Sequence, residues 1–135
     1  MDLFVYGCLS LPEVLKHVTG RTFRTEEGVL HGYARLQIKG GPEAALIPFP
    51  DQQTDGIVCF DVDADSLRRM DAFQGALFKR TEVNVQTGTD RWAEAEAYVF
   101  KLKERARLVA KPWDETSFRE KHLPTLLKTP PTRTS

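Results

Sequence analysis

Residues 70–80 read MDAFQGALFKR, Met70 to Arg80, and the hydrophobic period changes halfway through. Met70 and Phe73 continue from Leu67 at helical spacing, whereas from Phe78 onward Thr81, Val83 and Val85 alternate with Arg80, Glu82, Asn84 and Gln86. Between the two patterns stands Gly75, where a left-handed C-terminal cap belongs. The stretch therefore reads as a helix end, a glycine stop and the start of a strand. Asp63 can cap that helix, which makes Gln74 its last residue. If such a helix end lines a pocket, the residue type at 74 decides the chemistry, because a carboxylate there can move protons and an amide does not titrate near neutral pH.

Downstream, TGTD (87–90) turns the chain and Trp92 to Phe100 alternates again, so the segments on either side form a hairpin. Upstream, Gly28 to Ile38 places Leu30, Ala34, Leu36 and Ile38 on one side and Tyr33, Arg35 and Gln37 on the other. This is a half-buried strand broken near Gly32. Ala44–Ile47 and Gly56–Val62 read as two short antiparallel strands separated by PFPDQQTDG, which is rich in turn formers. LFVY, Leu3 to Tyr6, is apolar on both faces, as a central strand would be, and ends at Gly7.

Ser10 to Glu13 has the S-x-x-E form of a capping box, with Pro12 in the first turn and Val14, Leu15 and Val18 as an apolar stripe before Gly20. Near the C-terminus Asp114 is an N-cap, and Trp113 and Phe118 have the spacing of a hydrophobic staple. The final helix is expected to run to about Leu123 and stop at Pro124. The reading is a domain over residues 1–124 and a mobile tail over 125–135, since TPPTRTS has too few apolar residues to pack. The order of elements predicts an α+β fold with mostly antiparallel strands and helices outside, and closure into a small barrel would remove open edges.

Composition narrows the function. The 135 residues, 41% of them apolar, suit one compact domain. Nineteen basic and nineteen acidic side chains cancel, so no nucleic-acid or membrane partner is expected. Cys8 and Cys59 are far apart without metal-type spacing, no apolar run is long enough to span a bilayer, and the N-terminus lacks the pattern of a signal peptide. A cytoplasmic protein with free thiols and no metal is expected.

FVYGCL (4–9), HGYARL (31–36), EAALIP (43–48), MDAFQGALFKR and AYVF (97–100) together resemble, in order and spacing, the gamma-glutamylcyclotransferase-like family, over about residues 2 to 123. The resemblance implies a small, mixed, mostly antiparallel β-barrel with flanking helices and a pocket between the Y-G-x-L turn and the segment around Gln74. It further implies that backbone amides of Gly7, Cys8 and Leu9, flanked by Tyr6, hold a substrate carboxylate in an anion nest. In active members the α-amine of a gamma-glutamyl amide attacks its own γ-carbonyl, giving 5-oxoproline and a free amine without a cofactor. The glutamate that carries the proton aligns with Gln74. Phe78 stands where the family usually has the tyrosine of Y-x-R, and Tyr98 is expected near the pocket. Two readings follow: an intramolecular acyl transferase with its acid/base position altered, or a module that binds a gamma-glutamyl or amino-acid-like ligand without turnover.

The remaining candidates have simpler readings. Glu43 is the one carboxylate whose loop should approach the same pocket, but a solvated loop charge fits it better. Asp71, three residues before Gln74, is expected to bind backbone or an arginine such as Arg80. Cys8 would need a base in reach to act as a nucleophile, and no spacing ties His17, His31 or His122 to it. Glu94 and Glu96 are expected to be solvated.

Overall fold

The computed structural model describes residues 1–129. Six strands and four helices lie along them. In chain order these are β1 (Leu3–Val5), α1 (Pro12–Thr19), β2 (Thr25–Ile38), β3 (Ala44–Cys59), α2 (Ala64–Gln74), β4 (Phe78–Gly88) and β5 (Arg91–Phe100). Then follow β6 (Leu108–Pro112), α3 (Glu115–Lys121) and α4 (Leu123–Lys128), with short 3-10 turns at Cys8–Ser10 and Leu102–Arg107.

Five strands close into a barrel in the cyclic order β1, β3, β2, β4, β5, and β6 adds to the far end of β2. All neighbours are antiparallel except β1 and β5, which run parallel (Leu3 opposite Glu96, Phe4 opposite Ala97). The barrel is mixed because β1, apolar on both faces, lies between two longer strands, antiparallel to β3 and parallel to β5. Leu3, Phe4 and Val5 are all buried. Closure between β2 and β4 is narrow, resting on Val29 opposite Gln86. Gly28 lies close beside that seam, where a Cβ would meet Val85 at 2.5 Å; only a residue without a side chain lets the strands approach there.

The longest departure from the sequence expectation lies in β3. The segments 44–47 and 56–62 are not paired with each other. The first and most of the second belong to one strand that lies antiparallel to β2, from Ala44 opposite Gln37 to Cys59 opposite Thr25. The turn formers Pro50 and Asp51 are absorbed in an irregularity: Tyr33 faces Pro48 and His31 faces Gln53, so residues 49–52 bulge opposite Gly32 alone. Gly32 (φ 82) and Asp51 (φ 70) both take positive φ there, which is how the strands bend without separating.

The helices follow their caps. The Asp63 carboxylate accepts from the Ser66 N–H and opens α2. Asp114 accepts from the amides of Thr116 and Ser117, and Trp113 packs on Phe118 with ring centroids 5.7 Å apart. Two local signals resolve differently. Ser10 does not cap α1; its Oγ donates to the Gly7 carbonyl (2.6 Å), and Leu11 is the N-cap residue. Pro124 does not stop the chain, because proline is well placed in a first helical turn, and it begins α4 with Leu123 and Leu126 against the core. The tail expected from 125 thus starts with helix, and its last residues, 130–135, lie outside the described residues. Among the described residues no helix is long and apolar enough to cross a membrane.

Candidate active site

β1 ends at Val5, and the chain then bends sharply through Gly7 into a 3-10 turn. The Ser10 N–H donates to the Gly7 carbonyl (2.9 Å) and the Leu11 N–H to the Cys8 carbonyl (3.1 Å). The leading amides of such a turn point along its axis out of its N-terminal end, which is the direction from which an anion can approach. Glycine is required at 7 for space, since a Cβ there would lie 2.8 Å from the Ala44 Cβ. Gln74 arrives from another part of the chain as the last residue of α2. Gly75 follows with φ 84 and ψ −173, which is not the left-handed cap expected but a still more glycine-specific conformation. Its N–H caps the Asp71 carbonyl (3.0 Å).

These elements enclose one cleft. Val5, Tyr6, Gly7, Cys8 and Leu9 contribute from the strand and turn, Gln74 from α2, Tyr98 from β5 and Ala44 from β3. Its volume is ≈ 10 Å³, the space of about one solvent probe. Six of the seven residues expected at a site, Tyr6, Gly7, Cys8, Leu9, Gln74 and Tyr98, meet there. Phe78 does not line it. It is buried against Phe100, edge to face at 5.5 Å, because the two residues stand opposite each other in the β4–β5 pairing.

A hydrogen-bond network fixes the surround. The Tyr6 hydroxyl donates to the Tyr98 carbonyl (2.6 Å), and the Tyr98 hydroxyl donates to Asp71 Oδ1 (2.6 Å). Arg80 donates from Nε to the same Asp71 oxygen (2.9 Å) and from Nη1 to Glu96 Oε1 (2.6 Å). Both phenols titrate far above their ordinary range. Burial is the main cause in each, reinforced by the nearby Cys8 for Tyr6 and by the bond to Asp71 for Tyr98, so both stay protonated. Burial works against the charge of Arg80, yet its bonds to Glu96 and Asp71 raise its pKa overall. On the other side of the turn, Arg35 Nη1 donates to the Tyr6 carbonyl (2.5 Å) and the Asp55 carbonyl (3.1 Å). This anchors the residue that precedes the nest, and burial lowers the pKa of the guanidinium.

Pairing of Asp71 with Arg80 matches the sequence expectation. Glu96 was expected to be solvated, but it is half-buried and shares that arginine, since it lies on the same face of the β4–β5 pair as Arg80; Glu94 is exposed. Glu43 folds back over Gly41, its Oε2 2.7 Å from where a Cβ on that glycine would lie, and it does not line the cleft. The histidines are engaged elsewhere: His17 with the Thr129 carbonyl, His31 with Gln86, His122 against Phe118. A much larger groove, ≈ 890 Å³, lies between the start of α1, β2, β3 and the 86–89 turn. It shares no residue with the cleft, and its lining mixes Arg35 and Arg119 with Glu27, Asp55 and Glu115. No group of His, Cys, Asp and Glu among the described residues could hold a metal. What sequence reasoning missed was the role of Tyr98 as a link to Asp71. The signal was present in the spacing of Asp71 and Gln74, which share a helix face.

A closed five-stranded mixed barrel with flanking helices is the gamma-glutamylcyclotransferase-like fold. The chain belongs to the family described as gamma-glutamyl cyclotransferase, AIG2-like, whose model matches residues 3–115. It is 32% identical over 120 residues to AIG2-like protein C of Arabidopsis thaliana, covering 88% of this chain and 69% of that protein. Against AIG2-like protein D of the same plant the identity is 28% over 129 residues, covering 94% and 84%. Among solved structures, an Arabidopsis thaliana protein determined in solution superposes with a TM-score of 0.70 at 28% identity, covering 93% of this chain and 76% of that one. A gamma-glutamyl cyclotransferase superposes with a TM-score of 0.64 at 17% identity, covering 93% and 82%, and so shares the fold.

Proposed function

We propose that the cleft binds the gamma-glutamyl part of a gamma-glutamyl amine or peptide and cyclises it slowly to 5-oxoproline, releasing the amine. The observation that carries this reading is the meeting in one cleft of the Gly7–Leu9 turn and Gln74, brought there from separate parts of the chain. The turn amides receive the substrate's α-carboxylate. The α-amine then lies within reach of its own γ-carbonyl, and holding that near-attack geometry supplies much of the rate, because the reaction is intramolecular. Cys8 and Cys59 are both buried and not joined in a disulfide, which suits a cytoplasmic setting where thiols stay reduced.

Gln74 limits the chemistry. Its Oε1 can accept a hydrogen bond from the substrate ammonium and hold it, but it cannot carry the proton away. General acid/base catalysis is typically worth about 10²–10⁴-fold, which sets the upper bound on the gain in turnover from Gln74→Glu. The amide also favours a second reading, retention of the ligand without reaction. Release of 5-oxoproline from a panel of L-gamma-glutamyl amines and dipeptides, with the wild-type chain and Gln74→Glu side by side, decides between them. Turnover enhanced by Glu supports the cyclase. Binding with no release by either chain supports the binding module.

A further inference from the structure

The geometry points to the Asp71–Tyr98 pair as the proton acceptor of this cleft, taking over the task that Gln74 cannot perform. This rests on the cyclisation reading and adds residues to it. Tyr98 lines the cleft beside Gln74, and its hydroxyl donates to Asp71 Oδ1 at 2.6 Å, so the proton resides on the phenol and the negative charge on Asp71. Asp71 and Gln74 are three residues apart on α2 and therefore share a face.

Asp71 shares its arginine with a second carboxylate. Arg80 on β4 bonds both Asp71 and Glu96, so two carboxylates share one guanidinium and the triad keeps one negative charge in excess. Glu82, opposite Glu96 across the β4–β5 pairing, adds to it. From β1, Tyr6 contributes only a neutral hydroxyl, bound to the Tyr98 carbonyl. A proton that enters the triad neutralises it.

The step balances as follows. The substrate's α-ammonium gives a proton to Tyr98 Oη while Tyr98 passes its own proton to Asp71. The freed nitrogen lone pair forms the new C–N bond at the γ-carbonyl. When the tetrahedral adduct collapses, the old C–N bond breaks and the pair returns its proton to the departing nitrogen. The ring nitrogen sheds its second proton to water, the released amine takes one from water, and the turnover consumes no net proton. Tyr98 is then the catalytic group, and Asp71 acts through it.

The test uses the full chain with Asp71→Asn, Tyr98→Phe, Asp71→Glu, Gln74→Glu and the double variant Gln74→Glu/Asp71→Asn, with 5-oxoproline release as the readout. Loss of general-base catalysis predicts that Asp71→Asn and Tyr98→Phe each lower kcat by about 10²–10⁴-fold at little-changed KM, and that Asp71→Glu recovers part of it. Gln74→Glu should make Asp71 dispensable, so that the double variant turns over as fast as Gln74→Glu alone; a merely structural aspartate would damage both backgrounds equally. Equal damage, or unchanged turnover in Asp71→Asn, overturns the proposal. A silent wild type with an active Gln74→Glu also overturns it while leaving the cyclase reading intact. Silence of both chains removes that reading and the relay with it.

Discussion

Gly7→Ala is the most direct probe of the turn that faces Gln74. A methyl group at this position would sit 2.8 Å from the Ala44 Cβ, about 0.6 Å inside ordinary van der Waals contact. Neither atom can rotate away, because each is attached directly to backbone, and Ala44 is buried at the start of β3 opposite Gln37. The strain must therefore move the turn or the strand, at the ~1–3 kcal/mol typical of overpacking. The movement displaces the amides of Cys8 and Leu9. Urea denaturation should show a lower midpoint with an unchanged slope, and in the Gln74→Glu background KM should rise. Ala44→Gly removes the opposing methyl. On its own it costs roughly 0.5–1 kcal/mol of backbone entropy, but combined with Gly7→Ala it should return stability, a coupling of about 1 kcal/mol or more. Additive losses in the double variant would refute the contact as the reason for glycine, and unchanged stability in the single variant would refute the packing argument altogether.

Gly75→Ala should cost about 1–3 kcal/mol by urea denaturation, because φ 84 with ψ −173 is essentially glycine-only, whereas Ala76→Gly beside it should cost far less. Burial pushes the Cys59 thiol up to about 12, so at pH 8 its reaction with a disulfide reagent should wait for unfolding, and a fast stoichiometric reaction in the native state would contradict its placement. The sign of the linked stability follows. The folded pKa lies above the ordinary thiol value of about 8.5, so the contribution is complete below that pH and is lost as pH rises toward about 12, a loss that Cys59→Ala should abolish.

Much of this architecture is written in local signals, and the exceptions have physical causes. The β4–β5 hairpin, the Asp63 and Asp114 caps and the break at Gly32 are each decided within a few residues, and each forms. β3 was misread because proline, aspartate and glycine act alike in a tight turn and in a bulge. Only the partner strand, with Gly32 free to take φ 82, decides which forms. β6 carries no alternation strong enough to announce it and exists because the end of β2 offers open edge groups to Leu108–Pro112. At the site, residues on the resemblance motifs were legible, whereas Glu96 was not. Its half-buried place is set by Arg80, and that arginine is positioned by strand pairing and by Asp71 on a helix.

The small volume of the cleft separates two things that position 74 might control. A gamma-glutamyl group needs far more than the ≈ 10 Å³ found, so the proposed binding requires a wider form of the cleft, and its apparent affinity would fall with the fraction of molecules that adopt it. Tyr6 and Tyr98 are buried and hydrogen-bonded, and the turn is tied to Arg35, so these walls hold. Gln74 is half-buried and is followed by exposed Gly75 and Ala76, so the end of α2 is the more exposed wall. Glutamine and glutamate have nearly the same size and reach, so Gln74→Glu leaves the widening equilibrium almost untouched while adding a group that titrates. The substitution should then raise kcat and leave KM nearly constant, as expected when an interaction of the transition state alone is gained. A large fall in KM with little change in kcat would mean that widening of the cleft, and not proton transfer, limits this protein.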